Sequence, residues 1–486
     1  MGGDPALSRR NPLIALAEIG KADNLAKDRP VWVGAGVLGI VLARVAAQSE
    51  AVTRARIAAG SCESVRPIDR PLAIGTVSKA VGLLQLYGLL ATSEHRLQRG
   101  KHRVEQLSLG RLVTAAVHVI LDRDNPKGVR IVLFDVGGRT IHAEHREIFP
   151  APERNWQVLA QTIHARVSEM RRDLRDPETG VAPQLFGVAV EVGAPVIDGK
   201  ITPLSWIVHG DVEPIDLNEK LRELFAAAKG DDELPPAIMV ENDATCLTAL
   251  TWKDLGYTVN DLAVAVVLDN GIGGGLIMDG RLRRGRSGRA MEIGHLVVAH
   301  RPEPRTAAAG ELDHDDGVDL DDPVCVCGLP DHVEVYATIA SLRRDLHAGK
   351  VEALEQAARR MEPEHARRVL TRSGAFLGQA LAHVCNVVDP GLLVLYLPRE
   401  LADTNPARRT SQYVEHTKKE LEQAFAVRGR PSTEFVAQSL PVHTAGLEQL
   451  FARAAAVCLL DDVIEQALDH VPADEKAGPA TKTGGS

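Results

Sequence analysis

The segment VCVCGLPDHVEVY, residues 324–336, sets two cysteines one residue apart and follows them with a histidine and a glutamate. Thiolate sulfur and imidazole nitrogen are preferred zinc ligands, and a closed structural site needs four of them. Cys325, Cys327 and His332 supply three within eight residues. The natural fourth is His295, in MEIGHLVVAH. His300 and His314 are rivals, and a carboxylate from the acidic insertion RPEPRTAAAGELDHDDGVDLDD could intrude. Two free thiols are the competing reading.

Two further stretches carry candidate chemistry. In LDNGIGGGLIMDGRL (268–282) a strand runs into Gly271, Gly273, Gly274 and Gly275, which permit close backbone approach and could turn N–H groups toward an anion. A tight hairpin needs the same residues. In VENDATCL (240–247) a strand ends in Glu241, Asn242 and Asp243. There a carboxylate and an amide can bond sugar hydroxyls, or Asp243 can take a proton from one. The plainer reading is an Asn-Asp turn capping the next helix.

These residues need a frame to hold them. TAAVHVILDRD, VRIVLFDV and RTIHAEHREI read as consecutive strands, and NWQVLAQTIHARVSEMRRDL as a long helix. LFGVAVEVGAPV, AIMVENDATCLTAL and LAVAVVLDNGIGGGLIMDGRL continue the alternation, which argues an α/β body. From about residue 345 to 470 the pattern is mostly helical, with one apolar strand at LLVLYLP.

Ahead of that body the pattern differs. Residues 1–33 read as a flexible segment. VLGIVLARVAAQ (37–48), AVTRARIAA (51–59) and AIGTVSKAVGLLQLYGLLA read as three helices, with a turn-rich loop, GSCESVRPIDRP, before the third. LLATSEH and RVEQLSL flank a basic turn. Three helices and a basic hairpin are the layout of a winged helix-turn-helix over residues 34–110. Thr76, Ser78 and Lys79 would then approach the major groove, while Arg96, Arg99, Lys101 and Arg103 in the wing contact phosphates. Charge agrees: residues 1–110 hold 15 Lys+Arg against 9 Asp+Glu, although the whole chain is at −9. A small helical domain with a solvated basic hairpin is the alternative.

Composition narrows the class. The 486 residues suit two or three domains, and 45% apolar with 25% charged residues is ordinary for a globular protein. No apolar run is long enough to span a membrane, and the N-terminus lacks the apolar core of a secretion signal. Six cysteines in so long a chain fit a reducing cytoplasm better than a disulfide framework. The tail, 473–486, is compositionally disordered.

Taken together the motifs resemble the ROK family of repressors, open reading frames and sugar kinases. EVGAPVIDGKITPLSW is similar to its G-x-P segment and VENDA to its strand-end Asn-Asp. NGIGGGLIMDGRLRRGRSGRAMEIGH looks like its long signature, and CVCGLPDHVE like its zinc motif. The resemblance implies an actin-like (ribonuclease H-like), two-lobed sugar-binding body over residues 111–472, with the zinc motif at 295–334. His295, Cys325, Cys327 and His332 would hold a structural Zn2+, His332 standing where the family usually has a cysteine and Asp331 where it has a glycine. Sugar contacts would fall on Asn242, Asp243, Glu292, His295 and Glu334. A winged helix in front is the arrangement of the family's repressor branch.

The family's kinases cradle ATP phosphates in a D-I-G-G-T loop. Here the first strand turns through Asp122, Arg123, Asp124 and Asn125, and DNG (269–271) replaces G-T-G. FDVGGRT, with Gly137 and Gly138, sits where the family has an ordinary second hairpin. Lost glycines and added acids weaken nucleotide binding, so ATP is not expected. The expectation is a cytoplasmic sugar-responsive regulator, a repressor by default, that binds operator DNA as a homodimer or dimer of dimers. A sugar or sugar phosphate would close the cleft between the lobes and reset the spacing of the DNA-reading heads. The alternative is a sugar kinase with Asp243 as catalytic base. A zinc-stabilised scaffold binding neither sugar nor DNA is the third reading.

Overall fold

The structure is a computed structural model. It describes residues 11–17, 35–46, 53–59, 72–86, 89–96, 103–109, 112–122, 125–135, 140–150, 154–197, 199–202, 213–227, 234–298, 325, 327–349, 352–426, 433–441 and 444–469. The chain divides into two units: residues 1–201, 215–258 and 448–486 form the first, and 202–214 with 259–447 the second.

Unit 1 opens with α1 (residues 12–17), α2 (Ala35–Ala46), α3 (Arg54–Ala59) and α4 (Ile74–Leu86). An antiparallel hairpin follows, β1 (Leu90–Arg96) with β2 (Arg103–Leu109), in register from Leu90↔Leu109 to Arg96↔Arg103. α2 buries Leu38, Ile40, Val41, Leu42 and Val45, and α4 buries Val77, Ala80, Val81 and Leu84, as their helical spacing requires. Arg44 is fully buried in α2 and donates to the Ile57 carbonyl at the end of α3, satisfying a helix terminus. Part of the segment read as flexible is ordered: residues 11–17 begin with Asn11 capping α1, and Leu13 and Leu16 are fully buried. The run is too short for periodicity to announce it.

The body of unit 1 is a mixed sheet. β3 (Val113–Asp122), β4 (Asn125–Asp135) and β5 (Thr140–Ile148) form an antiparallel meander, and β6 (Leu185–Val192) and β9 (Ala237–Asn242) add in parallel to β3. Its order is β5-β4-β3-β6-β9. A small hairpin of β7 (Val196–Ile197) and β8 (Lys200–Ile201) separates the last two. β6 is buried along its whole length, which is why LFGVAVEV reads as a run rather than an alternation. α5 (Trp156–Asp173), capped by the Asn155 side chain on Val158 N, and α6 (Leu217–Ala227) pack on the sheet; α7 (Asp243–Asp254) follows β9.

Unit 2 repeats the plan. β10 (Leu262–Val267), β11 (Ile272–Met278) and β12 (Arg281–Leu282) form the meander, and β13 (Leu392–Leu397) and β14 (Glu434–Ser439) extend it in parallel, in the order β12-β11-β10-β13-β14. β14 was not foreseen: EFVAQS is a half-exposed edge strand and lacks the apolar run that announces β13. Past the cysteines come α8 (Glu334–Ala337), α9 (Ile339–Asp345), α10 (Leu354–Arg360) and α11 (Pro363–Val388). After β13 come α12 (Arg399–Ala402) and α13 (Ser411–Ala426); α14 (Thr444–Asp469), which from residue 448 belongs to unit 1, closes the described chain.

α11 and α13 cross at glycines. A Cβ on Gly374 would collide with the Tyr413 backbone, and one on Gly378 would lie 2.6 Å from the Glu420 Cβ. Gly374→Ala is therefore expected to cost about 3 kcal/mol, the upper part of the overpacking range, because backbone cannot yield as a side-chain tip can. Urea unfolding followed by circular dichroism measures it.

Candidate functional site

The turn before His295 is built by close approach. Gly294 sits so near β11 and α8 that a Cβ there would lie 2.7 Å from the Ile272 carbonyl oxygen and 2.8 Å from Glu334 Oε2. Only glycine lets the 3-10 turn Ile293–His295 nest there. Beyond it, Val297 bridges His332, with Val298 N donating to the Asp331 carbonyl and Val333 N to that of Leu296. This short ladder brings His295 beside His332. The cysteines arrive on a turn closed by Gly328 N on the Cys325 carbonyl (2.8 Å) and Cys325 N on the Leu329 carbonyl (3.0 Å), with Gly328 at φ +84. Asp331, at φ +64, holds a left-handed conformation that suits glycine, and its Oδ1 accepts from the Tyr336 hydroxyl.

The four candidate ligand atoms lie within 4.8 Å of one another. His295 Nδ1 is 3.4 Å from His332 Nδ1 and 3.4 Å from Cys325 Sγ, and Cys327 Sγ is 3.3 Å from His332 Nδ1. A zinc tetrahedron with bonds of about 2.05 Å to nitrogen and about 2.3 Å to sulfur has N–N edges of about 3.3 Å and N–S edges of about 3.5 Å. Three edges of the cluster thus have the lengths zinc would impose. Burial, then the neighbouring His332 and Arg289, lowers the His295 pKa; burial lowers that of His332 against the opposing Asp331. Both imidazoles are thereby kept neutral, with lone pairs available to a metal. Burial and the hydrogen bond to Glu334 Oε1 (2.7 Å) push the Cys325 thiol up. A divalent cation would make its thiolate the stable form. The donor set fits zinc.

His295 has a second face. Its Nε2 lies 3.9 Å from Glu292 Oε2, opposite in the ring to the Nδ1 that faces the sulfur. Burial raises the Glu292 pKa, with Arg289 opposing and Glu334 reinforcing. Glu292, His295 and Glu334 thus ring the edge of the cysteine–histidine cluster.

In unit 1, Asn242 caps α7: its Oδ1 accepts from Ala244 N (3.0 Å) and Thr245 N (3.2 Å), and its Nδ2 donates to the Ala194 carbonyl. The plainer reading of this residue holds, and only the remaining amide hydrogen is left for a ligand. Asp243 is buried, accepts from Ala244 N through Oδ1, and holds Oδ2 3.3 Å from where a Cβ on Gly193 would stand. A side chain at Gly193 would cover that oxygen.

The ROK family model matches residues 127–419, more than half of the sequence. The chain belongs to the ROK family. It is 26% identical to the N-acetyl-D-glucosamine kinase of Salmonella heidelberg (strain SL476) over 273 residues, 54% of this chain and 82% of that protein. A crystal structure of a ROK family transcriptional regulator, a homologue of the E. coli MLC protein, superposes with a TM-score of 0.59 at 16% identity. That match covers 89% of this chain and 98% of the other. The ROK hexokinase of Thermus thermophilus gives 0.48 at 18% identity, over 71% of this chain and 97% of its own. By the family match and the regulator structure, the mixed sheets are those of the ROK sugar-kinase-like fold.

Some expected residues of this ROK protein fall elsewhere. Gly273, Gly274 and Gly275 form no loop: they lie in β11, paired with Val266, Ala265 and Val264. The glycine at 274 answers a packing demand, since a Cβ would meet Ile293 at 2.6 Å and the Met291 carbonyl oxygen at 3.0 Å. Only Gly271 is in the turn, where its carbonyl accepts from Leu268 N. Lys79 is exposed on α4, while Thr76 and Ser78 are half-buried. Arg99, Lys101, Gly137, Gly138, His300, His314, the 60–71 loop and the 473–486 tail lie outside the described residues, as do the side chains of Arg96 and Arg103. Asp122 pairs with Asn125, so the β3–β4 connection is only the two residues Arg123 and Asp124.

One site pair was not anticipated. His118 on β3 hydrogen-bonds through Nδ1 to Glu191 on β6, directly across the parallel register, and Glu191 is fully buried. A lone polar residue inside each apolar run, AVHVIL and VAVEV, was the available signal. Burial alone would lower the His118 pKa, but Glu191, with Glu448 and Asp243, raises it. A raised folded value means the pair stabilises fully below about pH 6.5 and loses that contribution as pH climbs through the folded pKa. The wild-type Tm should therefore fall by a few degrees across that interval, and His118→Gln should flatten the profile. An unchanged slope in the variant would assign the effect elsewhere.

Proposed function

We propose that this ROK protein is a sugar-responsive transcriptional regulator, acting as a repressor by default. The observation that carries the reading is the N-terminal set of three helices and a hairpin, α2–α4 and β1–β2, placed ahead of the ROK body. A match over 89% of 486 residues exceeds the 376 that follow Gly110, so the regulator's likeness reaches into that set. Read as a winged helix-turn-helix, the segment would use α4 as its groove-reading helix and the hairpin as its wing. The same strand order in both units supports an actin-like body.

Sugar contacts are assigned to Asn242 and Asp243 in unit 1 and to Glu292, His295 and Glu334 in unit 2. Carboxylate, amide and imidazole groups each suit the alternating donors and acceptors of vicinal hydroxyls. Zinc bound by His295, Cys325, Cys327 and His332 would fix the loops that carry three of these residues. Operator DNA and a sugar or sugar phosphate are the partners, with a twofold dimer reading two half-sites in the cytoplasm. No helix among the described residues is long and apolar enough to cross a membrane.

The second reading, a sugar kinase with Asp243 as base, is favoured by the kinase relatives and the buried Asp243. Against it stands the sequence: Asp122 and Asp124 stand at the β3–β4 connection and DNG (269–271) replaces G-T-G, so close-approach glycines are lost and acids added where phosphates would sit. Incubation with N-acetyl-D-glucosamine and ATP should yield no sugar phosphate above background; turnover at ordinary kinase rates would replace the regulator reading. Lys79→Ala should weaken operator binding by about 1–3 kcal/mol and relax the sequence preference at one base pair. Fluorescence anisotropy against the operator and single-base variants of it reads both.

A further inference from the structure

We infer that α14 is the element that couples the strands beside the candidate sugar contacts of unit 1 to the N-terminal helices. The inference rests on the regulator reading and names its internal relay. Twenty-six residues make α14 about 39 Å long at 1.5 Å per residue, enough to touch both places.

Its N-terminal part is tied to the sheet. Glu448 accepts from Arg130 on β4 at 2.9 Å, both side chains being almost fully buried, and Arg146 on β5 joins the pair. Phe451 stacks on His118, with ring centroids 6.2 Å apart and planes 15° from parallel. His118 holds Glu191, and Glu191 lies in register with Glu241, the residue before Asn242 and Asp243. Ala452 and Ala456 pack with Ala116, Val132 and Phe134, and farther along Asp461 accepts from the Tyr257 hydroxyl just past α7.

Its C-terminal part holds the head. The Val463 carbonyl (2.9 Å) and Gln466 Oε1 (3.3 Å) both accept from the Asn11 amide that caps α1. Gly39 lets α2 press close: a Cβ there would lie 3.3 Å from the Ala467 Cβ and 3.5 Å from the Ile464 carbonyl oxygen. A packed helix moves as a body rather than stretching, so displacement of its sheet-bound end is delivered to α1 and α2.

The test compares wild type, Asn11→Ala and Gly39→Leu, neither of which touches a proposed sugar or DNA contact. Amide exchange over Ala35–Ala46 is measured with and without N-acetyl-D-glucosamine, and separately with its 6-phosphate. Sugar affinity by calorimetry and DNA affinity are measured on the same samples. The expected result is a sugar-dependent change in exchange in wild type that both variants lose while sugar affinity stays within about threefold. The sugar effect on DNA affinity, on the order of tenfold in wild type, then falls toward one. A wild-type-sized exchange response in both variants, or sugar binding without any response in wild type, overturns the relay. An exchange response that α14 controls but that leaves DNA affinity untouched supports the relay and counts against the regulator reading alone. Binding of neither sugar removes both.

Discussion

Cys327→Ser is expected to strip the protein of one zinc per chain and to lower Tm by roughly 10 °C. The unit 2 core stands on its own, with Val333, Ala337, Leu342, Leu370 and Leu377 fully buried, so the loss is local rather than global. About 3 kcal/mol for the ligand loops, at about 2–4 °C per kcal/mol in a unit of this size, gives that figure. Plasma emission for metal content and a thermal melt on the same samples check it. Prolonged chelation of wild type should reproduce the shift, and Cys385→Ser, a buried thiol outside the cluster, should leave zinc in place. Full zinc content in Cys327→Ser would mean that the 3.3 Å approach of Cys327 Sγ to His332 Nδ1 has no ligand role.

Glu292→Ala is expected to weaken sugar binding by about 30-fold while zinc content is unchanged. A lost hydrogen bond to a charged acceptor costs about 1.5–3 kcal/mol, and Glu292 approaches the cluster only through the outer nitrogen of His295. Glu334→Ala should do more damage, because its Oε1 also meets the Cys325 sulfur at 2.7 Å. That variant should lose sugar affinity and bind zinc less tightly. Calorimetry with N-acetyl-D-glucosamine and its 6-phosphate separates the two effects. A scaffold that binds no sugar would show changes in stability and nothing else.

Much of this was legible in the sequence where the chemistry is local. Cys325, Cys327 and His332 lie within eight residues and His295 ends a recognisable signature, so the four members of the cluster could be named as candidate ligands before their distances were known. Asn242 announced its helix cap through residue type and position. Long-range pairing was less visible. His118 and Glu191 are 73 residues apart, and only the parallel register of β3 and β6 makes them neighbours. Gly273–Gly275 misled because glycine serves equally for a phosphate loop and for close packing, here against Ile293 and Met291. The repeated strand order of the two units is echoed in sequence by AVHVILD (116–122) and AVAVVLD (263–269), each beginning in the first strand of its meander, a likeness of seven residues.

The most direct test of the regulator reading is capture of genomic DNA fragments by the purified protein, with and without a panel of sugars and sugar phosphates. The account predicts enrichment of a short palindromic site at physiological salt, and its release or tightening by one sugar. Retention of DNA only as a salt-sensitive background, indifferent to every sugar, would contradict it.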